Sequence, residues 1–263
     1  MKSWTIEYIR EFGALLTVSS LIRYWRLLRD DRGGNLDAMQ AARLTLRNPF
    51  LQDIVIGPGS NDNYTFSEIF VEKVYASLVR HAGPVSTVLD LGANIGLASV
   101  YFSGVWPGVS LLCVEAAHDN AIILRQNLST LLTLGYARVI EGAVWGCNGQ
   151  VALAPLEKGH VNQRRCHTDG GASDDNMVDA FAMQRLIELS GFSQIDVVKM
   201  DIEGAEREVF CSDVSWLNRV RMLAIEFHGK SREESQFDAA VKAYGFSILE
   251  EGVHTVIAAR RNG

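Results

Sequence analysis

Short apolar runs alternate with segments of helical spacing from about residue 84 to the end of the chain. The runs typical of strands are residues 87–91, 110–115, 137–141, 150–154, 195–200 and 221–227. The segments whose apolar positions recur at helical spacing are residues 95–105, 118–134, 178–189 and 232–243. Two final runs, residues 246–249 and 253–259, flank a Glu-Gly turn and predict a closing pair of strands.

This alternation predicts an α/β fold with a doubly wound, mostly parallel sheet of seven strands. Near-continuous apolar strands are what a parallel sheet covered on both faces requires. Strands separated by helices indicate right-handed βαβ units, and the closing pair would add one antiparallel strand. Such sheets bind ligands at the carboxyl ends of their strands, where the strand order reverses. Candidate chemistry is therefore expected at those ends.

The charge balance of the first 50 residues differs from that of the rest of the chain. We predict that they form a helical extension to a main domain at residues 51–263. They carry eight Lys and Arg against five Asp and Glu, whereas residues 51–263 carry 17 against 26. A helix is predicted over residues 4–29, and its apolar run at 12–22 is too short to cross a bilayer. We expect this helix to pack on the body or to support self-association. Its arginines, with Trp4 and Trp25, also suit an interfacial membrane site.

Composition narrows the function classes. The chain has 263 residues, 48% of them hydrophobic, and a net charge of −6 without a basic stripe, which argues against nucleic-acid binding. Its four cysteines form no C-x-x-C pair, so zinc-ribbon and thioredoxin-like sites are excluded. A reduced cytoplasmic protein without a transmembrane segment is the expectation.

The first strand end carries a glycine turn. The segment VLDLGANIG (residues 88–96) places Gly92 and Gly96 in G-x-x-x-G spacing, with Asn94 where a dinucleotide fold needs its second glycine. Asp90 would repel a diphosphate but attract a cation. S-adenosylmethionine, which carries an ammonium, a carboxylate and a cationic sulfur, suits both this acid and the following helix N-terminus.

The next two strand ends supply further candidate cofactor contacts. Glu115 ends the second strand, where a carboxylate can accept hydrogen bonds from both ribose hydroxyls. NAD would need the same acid, so Glu115 does not separate the two cofactors. The small residues Gly142 and Ala143 follow the third strand, where an adenine ring could lie flat.

Acidic residues and one histidine follow the fourth and fifth central strands. In KMDIEGAE (residues 199–206), Asp201 and Glu203 would share a face by the period of two, while Glu206 suits a helix N-terminus. In IEFH (residues 225–228), alternation places Glu226 and His228 on one face. His228 is the candidate that could collect a substrate proton.

Together these segments resemble the FkbM family of S-adenosylmethionine-dependent methyltransferases, as does SNDNYTFSEIF (residues 60–70) with Tyr75. Ala116 departs from the family, which often has proline after the acid. The resemblance implies a class I methyltransferase fold whose last strand is antiparallel. It implies that Asp90 and Gly92 meet the methionine end, Glu115 the ribose and residues 142–143 the adenine. It also implies methyl transfer to a hydroxyl of a sugar or secondary metabolite, with residues 57–75 covering the cofactor.

The resulting hypothesis is an O-methyltransferase for a small-molecule or glycan acceptor. The predicted cofactor contacts are Asp90, Gly92, Asn94, Gly96, Glu115, Gly142, Ala143 and Asp201. The predicted catalytic residues are His228 or Asp201 as general base and Glu203 orienting the acceptor. Asp201 could instead serve cofactor binding alone. No metal is assigned, although Asp201, Glu203, Glu226 and His228 could together hold Mg²⁺.

Two alternative functions remain. An NAD-dependent oxidoreductase would share the fold and the ribose acid but lacks the second glycine. A non-catalytic adaptor would retain the fold and associate through residues 1–30. Residues 156–177 read as a loop for substrate selection, in which Arg164 and Arg165 could hold an acidic group.

Overall fold

A computed structural model describes residues 6–32, 41–47, 49–50, 52–57, 62–155, 164–167, 176–252 and 255–260. The helices are α1 (Ile6–Leu15), α2 (Val18–Arg32), α3 (Asp62–Phe70), α4 (Ala76–Ala82), α5 (Leu97–Val105), α6 (His118–Asn127), α7 (Ser129–Thr133), α8 (Met183–Ser190), α9 (Glu206–Phe210), α10 (Ser231–Glu234) and α11 (Phe237–Ala243), with a 3-10 helix at Ser215–Arg219. The strands are β1 (Ala42–Thr45), β2 (Asp53–Ile56), β3 (Thr87–Leu91), β4 (Ser110–Glu115), β5 (Ala137–Glu141), β6 (Ala143–Val144), β7 (Gly149–Pro155), β8 (Arg164–His167), β9 (Met177–Phe181), β10 (Ile195–Met200), β11 (Val220–Glu226), β12 (Phe246–Glu251) and β13 (Thr255–Arg260).

The central sheet has seven strands in the order β12-β13-β11-β10-β3-β4-β5. β13 is antiparallel to both of its neighbours, and the remaining neighbouring pairs are parallel. The prediction of a doubly wound, mostly parallel sheet with an antiparallel last strand is therefore confirmed. The chain leaves β3 toward β4 and β5 and later returns on the other side of β3 through β10 and β11. The strand order reverses between β3 and β10, which is where a ligand site is expected.

Both faces of this sheet are buried, which explains the near-continuous apolar strands. Successive residues of β3 point to opposite faces. Val88 packs in a cluster with α3–α6, whereas Leu89 and Leu91 pack in a second cluster with α8, α9 and α11. Because both layers are apolar, a charged side chain on a central strand must find its partners inside the protein.

A second, smaller sheet replaces part of the predicted layout. Its four strands lie in the order β6-β9-β7-β8. The predicted helix at residues 178–189 is wrong at its start, because Met177–Phe181 forms β9 and the helix begins only at Met183. β9 pairs with β7 and β6, and this pairing overrides the local helical spacing. The predicted strand at 150–154 lies within β7, and part of the predicted loop at 156–177 forms β8.

The N-terminal segment folds onto the body. The single predicted helix is two helices, α1 and α2, and the β1–β2 hairpin that follows was not predicted. Phe12 and Tyr24 stack with ring centroids 4.9 Å apart, and Tyr24 lies 5.3 Å from Phe66 of α3. The extension and the body therefore share one aromatic cluster. Within the described residues, no helix combines the length and apolar character needed to cross a bilayer.

Candidate active site

An open pocket of about 380 Å³ lies at the carboxyl ends of the central strands. Its lining includes six of the predicted cofactor contacts and all three predicted catalytic residues. The lining residues from this set are Gly92, Asn94, Glu115, Gly142, Ala143, Asp201, Glu203 and His228. Asp90 and Gly96, the two other predicted contacts, do not line it. The roles of all these residues remain predictions, but the structure brings most of them together.

The glycine turn packs directly against the end of β10. Gly92 has φ +72°, and a Cβ added there would lie 1.8 Å from the backbone oxygen of Asp201. The backbone N–H of Asp201 in turn donates to the carbonyl of Leu91 at 3.0 Å. A side chain at Gly92 is thus excluded both by backbone conformation and by space. Gly96 has φ +86°, and its added Cβ would lie 2.6 Å from Leu124, so this glycine serves helix packing.

Glu115 is a buried acceptor at the end of β4. Its carboxylate accepts hydrogen bonds from the backbone N–H groups of Asn94 and Ala117, both at 2.8 Å. Burial raises the pKa of Glu115, and these two hydrogen bonds act in the opposite direction. The side chain is therefore fixed across the mouth of the glycine turn. The contact of Glu115 with a ribose stays a prediction.

Asp90 lies beneath the turn rather than in the pocket wall. It is completely buried and accepts a hydrogen bond from Ser99 Oγ at 2.6 Å. Lys199 Nζ lies 3.1 Å from Asp90 Oδ1 and donates to the carbonyl of Gly92 at 2.7 Å. Asp90 thus reaches a ligand only through Lys199, which the sequence analysis did not select. A lysine inside the apolar strand IDVVKM was the available signal, since lysine is rarely buried unless it is paired.

Carboxylates surround His228 at the ends of β10 and β11. Its Nε2 lies 3.4 Å from Glu203, 3.7 Å from Asp201 and 3.9 Å from Glu226. Its Nδ1 lies 3.4 Å from Glu206, whose Oε1 also accepts from the backbone N–H groups of residues 202 and 204. Glu206 is the first residue of α9, as its predicted place at a helix N-terminus indicated, and it holds the loop that leads into this helix.

The charge of His228 follows from this environment. Burial lowers the pKa of His228, but the hydrogen bond to Glu206 and the charges of Asp201 and Glu203 together raise it by more. The net effect is a pKa of about 9. At neutral pH the ring is an imidazolium and cannot accept a proton. Burial and the charge of Asp201 raise the pKa of Glu226 to about 7. The carboxylates are therefore the proton acceptors that remain.

This environment predicts a pH-dependent stability. A histidine whose pKa is raised in the folded state contributes stability that is complete below about pH 6.5 and is lost as the pH rises through about 9. His228→Gln should remove at most about 3 kcal/mol of unfolding free energy at pH 6, and the difference from wild type should shrink toward pH 10. Urea denaturation across this range measures it. If the unfolding free energies of the two proteins changed with pH in parallel, the assignment of a positive charge to His228 would be contradicted.

The same cluster offers a possible cation site. Asp201, Glu203 and His228 present ligand atoms that lie within 4.8 Å of one another. Because the imidazole is already charged and paired, a divalent cation would first have to displace its proton. A divalent cation and the imidazole proton would therefore compete for the same three side chains.

The structure describes only some of the other residues that were predicted to belong to the site. Tyr64, Thr65 and Glu68 of α3 line the pocket, as does Tyr75, whereas residues 58–61 lie outside the description. Gly142 is required for packing, because an added Cβ would lie 2.6 Å from the ring of Phe181. The side chains of Arg164 and Arg165 in β8, and all of residues 156–163 and 168–175, lie outside the description.

The sheet and its pocket define a class of protein. Seven strands with one antiparallel member, and a pocket where the strand order reverses, form the class I methyltransferase fold. The sequence profile of the family described as "Methyltransferase FkbM domain" matches residues 90–248. The chain therefore belongs to the FkbM methyltransferase family and is a methyltransferase.

Curated relatives agree with this assignment. The chain is 24% identical over 217 residues to "Methyltransferase sdnD" of Sordaria araneosa, covering 72% of this chain and 83% of that protein. It is 25% identical over 188 residues to "2-O-methyltransferase NoeI" of Sinorhizobium fredii, covering 65% and 74%. It is 25% identical over 257 residues to "31-O-demethyl-FK506 methyltransferase FkbM" of Streptomyces tacrolimicus, covering 83% and 98%.

Among solved structures, the chain is similar to the methyltransferase FkbM from Methylobacillus flagellatus, with a TM-score of 0.51 at 15% identity. The match covers 74% of this chain and 47% of that longer chain. At this identity the likeness supports the fold alone.

Proposed function

We propose that this chain transfers the methyl group of S-adenosylmethionine to a hydroxyl oxygen of a small-molecule or glycan acceptor. The observation that carries the proposal is the meeting of a buried ribose acid, Glu115, with the acidic cluster of Asp201, Glu203 and Glu226 in one pocket. The first suits the cofactor and the second suits the reacting hydroxyl. Glu115 lies at the end of β4 and the acidic cluster lies at the ends of β10 and β11, all at the same edge of the sheet.

The residues present fit S-adenosylmethionine better than a dinucleotide. Five carboxylates line the pocket, namely Glu68, Glu115, Asp201, Glu203 and Glu226. Such a lining attracts a cofactor with ammonium and sulfonium charges and repels a diphosphate. When bound, S-adenosylmethionine would supply a methyl group activated by the sulfonium.

The acidic end of the pocket supports oxygen as the acceptor atom. A neutral hydroxyl is a weak nucleophile, so a base that takes its proton assists the transfer. With His228 held as an imidazolium, Asp201 is the proposed base and Glu203 orients the acceptor. Asp201 would take up the hydroxyl proton, while bound S-adenosylmethionine would supply the methyl group and leave as S-adenosylhomocysteine. NoeI and FkbM, two relatives of this chain, carry names that state O-methylation.

Calorimetry with candidate cofactors tests the proposal. We expect S-adenosylmethionine and S-adenosylhomocysteine to bind at one site per chain, and NAD⁺ and NADP⁺ to give no heat. Glu115→Gln should weaken both S-adenosyl ligands, because its amide keeps the size of the side chain but loses the charged acceptor. Tight binding of a nicotinamide cofactor would favour the oxidoreductase alternative. Absence of any cofactor binding would favour the adaptor alternative.

A further inference from the structure

Lys199 is a buried cation in the wall of a pocket that five carboxylates also line. Its side chain is 5% exposed and touches both Asp90 and the carbonyl of Gly92. Burial lowers the pKa of Lys199, but the charge of Asp90 opposes this effect and outweighs it. The pKa of Lys199 is therefore above the ordinary lysine value. Lys199 is therefore charged throughout the neutral range. Among the described lining residues, no other lysine and no arginine is present.

The cofactor of the proposed function brings one anionic group into this wall. Its α-carboxylate would face repulsion from five lining carboxylates unless a donor compensates it. The glycine turn offers few donors, because the N–H groups of residues 92, 93, 94 and 96 already have partners. Gly92 and Ala93 donate to the carbonyl of Val114, Asn94 donates to Glu115, and Gly96 donates to the carbonyl of Ala93.

The second cation of the pocket is also engaged. Both ring nitrogens of His228 lie within 4 Å of carboxylates, so its charge is already compensated on each side. Lys199 is compensated by Asp90, but Asp90 is completely buried and does not line the pocket. The pair therefore presents its positive member to a ligand and keeps its negative member beneath the turn.

We propose that Lys199 binds the α-carboxylate of S-adenosylmethionine, with Asp90 as the positioning residue that holds the ammonium beneath the glycine turn. This inference rests on the proposed function and adds a cofactor contact to it. It also gives Asp90 an indirect role, in place of the direct contact that the family resemblance implies. The competing donor is the N-terminus of α5, where Leu97 and Ala98 also line the pocket.

A pair of ligands that differ only in the carboxylate isolates this contact. Decarboxylated S-adenosylmethionine keeps the sulfonium, the ammonium and the adenosine. We expect wild-type protein to bind S-adenosylmethionine at least roughly tenfold more tightly than the decarboxylated ligand, the size of one charge-assisted hydrogen bond. Lys199→Met should remove this preference, and Lys199→Arg should keep most of it. Binding is measured by calorimetry, without turnover.

Two controls separate binding from folding. Lys199→Met leaves the Asp90 charge buried without its partner and can prevent folding, so the double variant Asp90→Asn/Lys199→Met is measured beside it. Unchanged affinity of a variant for the decarboxylated ligand reports an intact pocket. Lys242→Met, on the exposed side of α11, is the matched control and should keep the wild-type preference.

The outcomes distinguish this inference from the proposed function. If wild type binds neither ligand, the proposed function fails and the inference fails with it. If wild type binds S-adenosylmethionine but a folded variant without Lys199 keeps the preference, the inference alone is overturned and the α5 N-terminus holds the carboxylate. Equal weakening of both ligands would assign Lys199 a structural role only, which also overturns it.

Discussion

Gly92→Ala should abolish cofactor binding and lower methyl transfer by more than about 100-fold, the effect of displacing reacting groups by about an ångström. The added Cβ would lie 1.8 Å from the backbone oxygen of Asp201, so the turn and the end of β10 must separate. The positive φ of this residue adds a smaller penalty of about 1 kcal/mol. Calorimetry with S-adenosylhomocysteine, thermal denaturation and a turnover assay measure the three effects.

Gly83→Ala is the matched control for this experiment. Gly83 has φ +62°, similar to that of Gly92, but an added Cβ would meet no atom within 4 Å. It should therefore carry only the conformational penalty and keep normal cofactor binding. If both variants lose binding equally, or if both retain it, the close contact between the turn and Asp201 does not govern the pocket.

Asp201→Asn should lower turnover by about 100-fold or more while cofactor affinity changes only a few-fold, because general-base catalysis typically contributes 10²–10⁴ in rate. The amide keeps the shape of the side chain but cannot accept the hydroxyl proton. Single-turnover kinetics and calorimetry separate the two quantities. Asp196→Asn, in the strand that precedes Asp201, is the matched control. The Asp196 carboxylate lies at the opposite end of β10, where it accepts from the backbone N–H of Ser86 and pairs with Arg221.

The same assay tests the alternatives to Asp201 as the base. His228→Ala should disturb the carboxylate cluster and lower turnover less than Asp201→Asn does. If both variants turn over normally with intact cofactor binding, the assignment of the base is wrong. Activity should also persist after exhaustive EDTA treatment. A loss that Mg²⁺ restores would instead assign Asp201, Glu203 and His228 to a metal site.

The sequence was sufficient to locate the pocket, because the carboxyl ends of parallel strands meet at one sheet edge. Glu115, Asp201 and His228 follow three different strands and still line the same cavity. Period-two alternation and strand-end position carry this information without any knowledge of side-chain contacts. Gly142 and Ala143, whose contact with adenine stays a prediction, also line this cavity.

The charge states of side chains, and the contacts between residues of different strands, could not be predicted from the sequence. The imidazolium of His228 depends on carboxylates from two strand ends converging within 4 Å, which no single segment encodes. The burial of Asp90 beneath Lys199 depends on the register between β3 and β10, where Lys199 lies opposite Asp90. The strand at Met177–Phe181 likewise depends on β7, which is distant in sequence.

The shared aromatic cluster of α1, α2 and α3 has a consequence for how the shape of the cavity can vary. The family profile begins at residue 90, so the catalytic strand ends lie inside the shared region, while α3 and its lining residues lie before it. Phe12 and Tyr24 support the helix that carries Tyr64, Thr65 and Glu68. Substitutions at Phe12 or Tyr24 can therefore shift α3 and reshape one wall of the cavity, while the strand ends on the opposite side keep their positions.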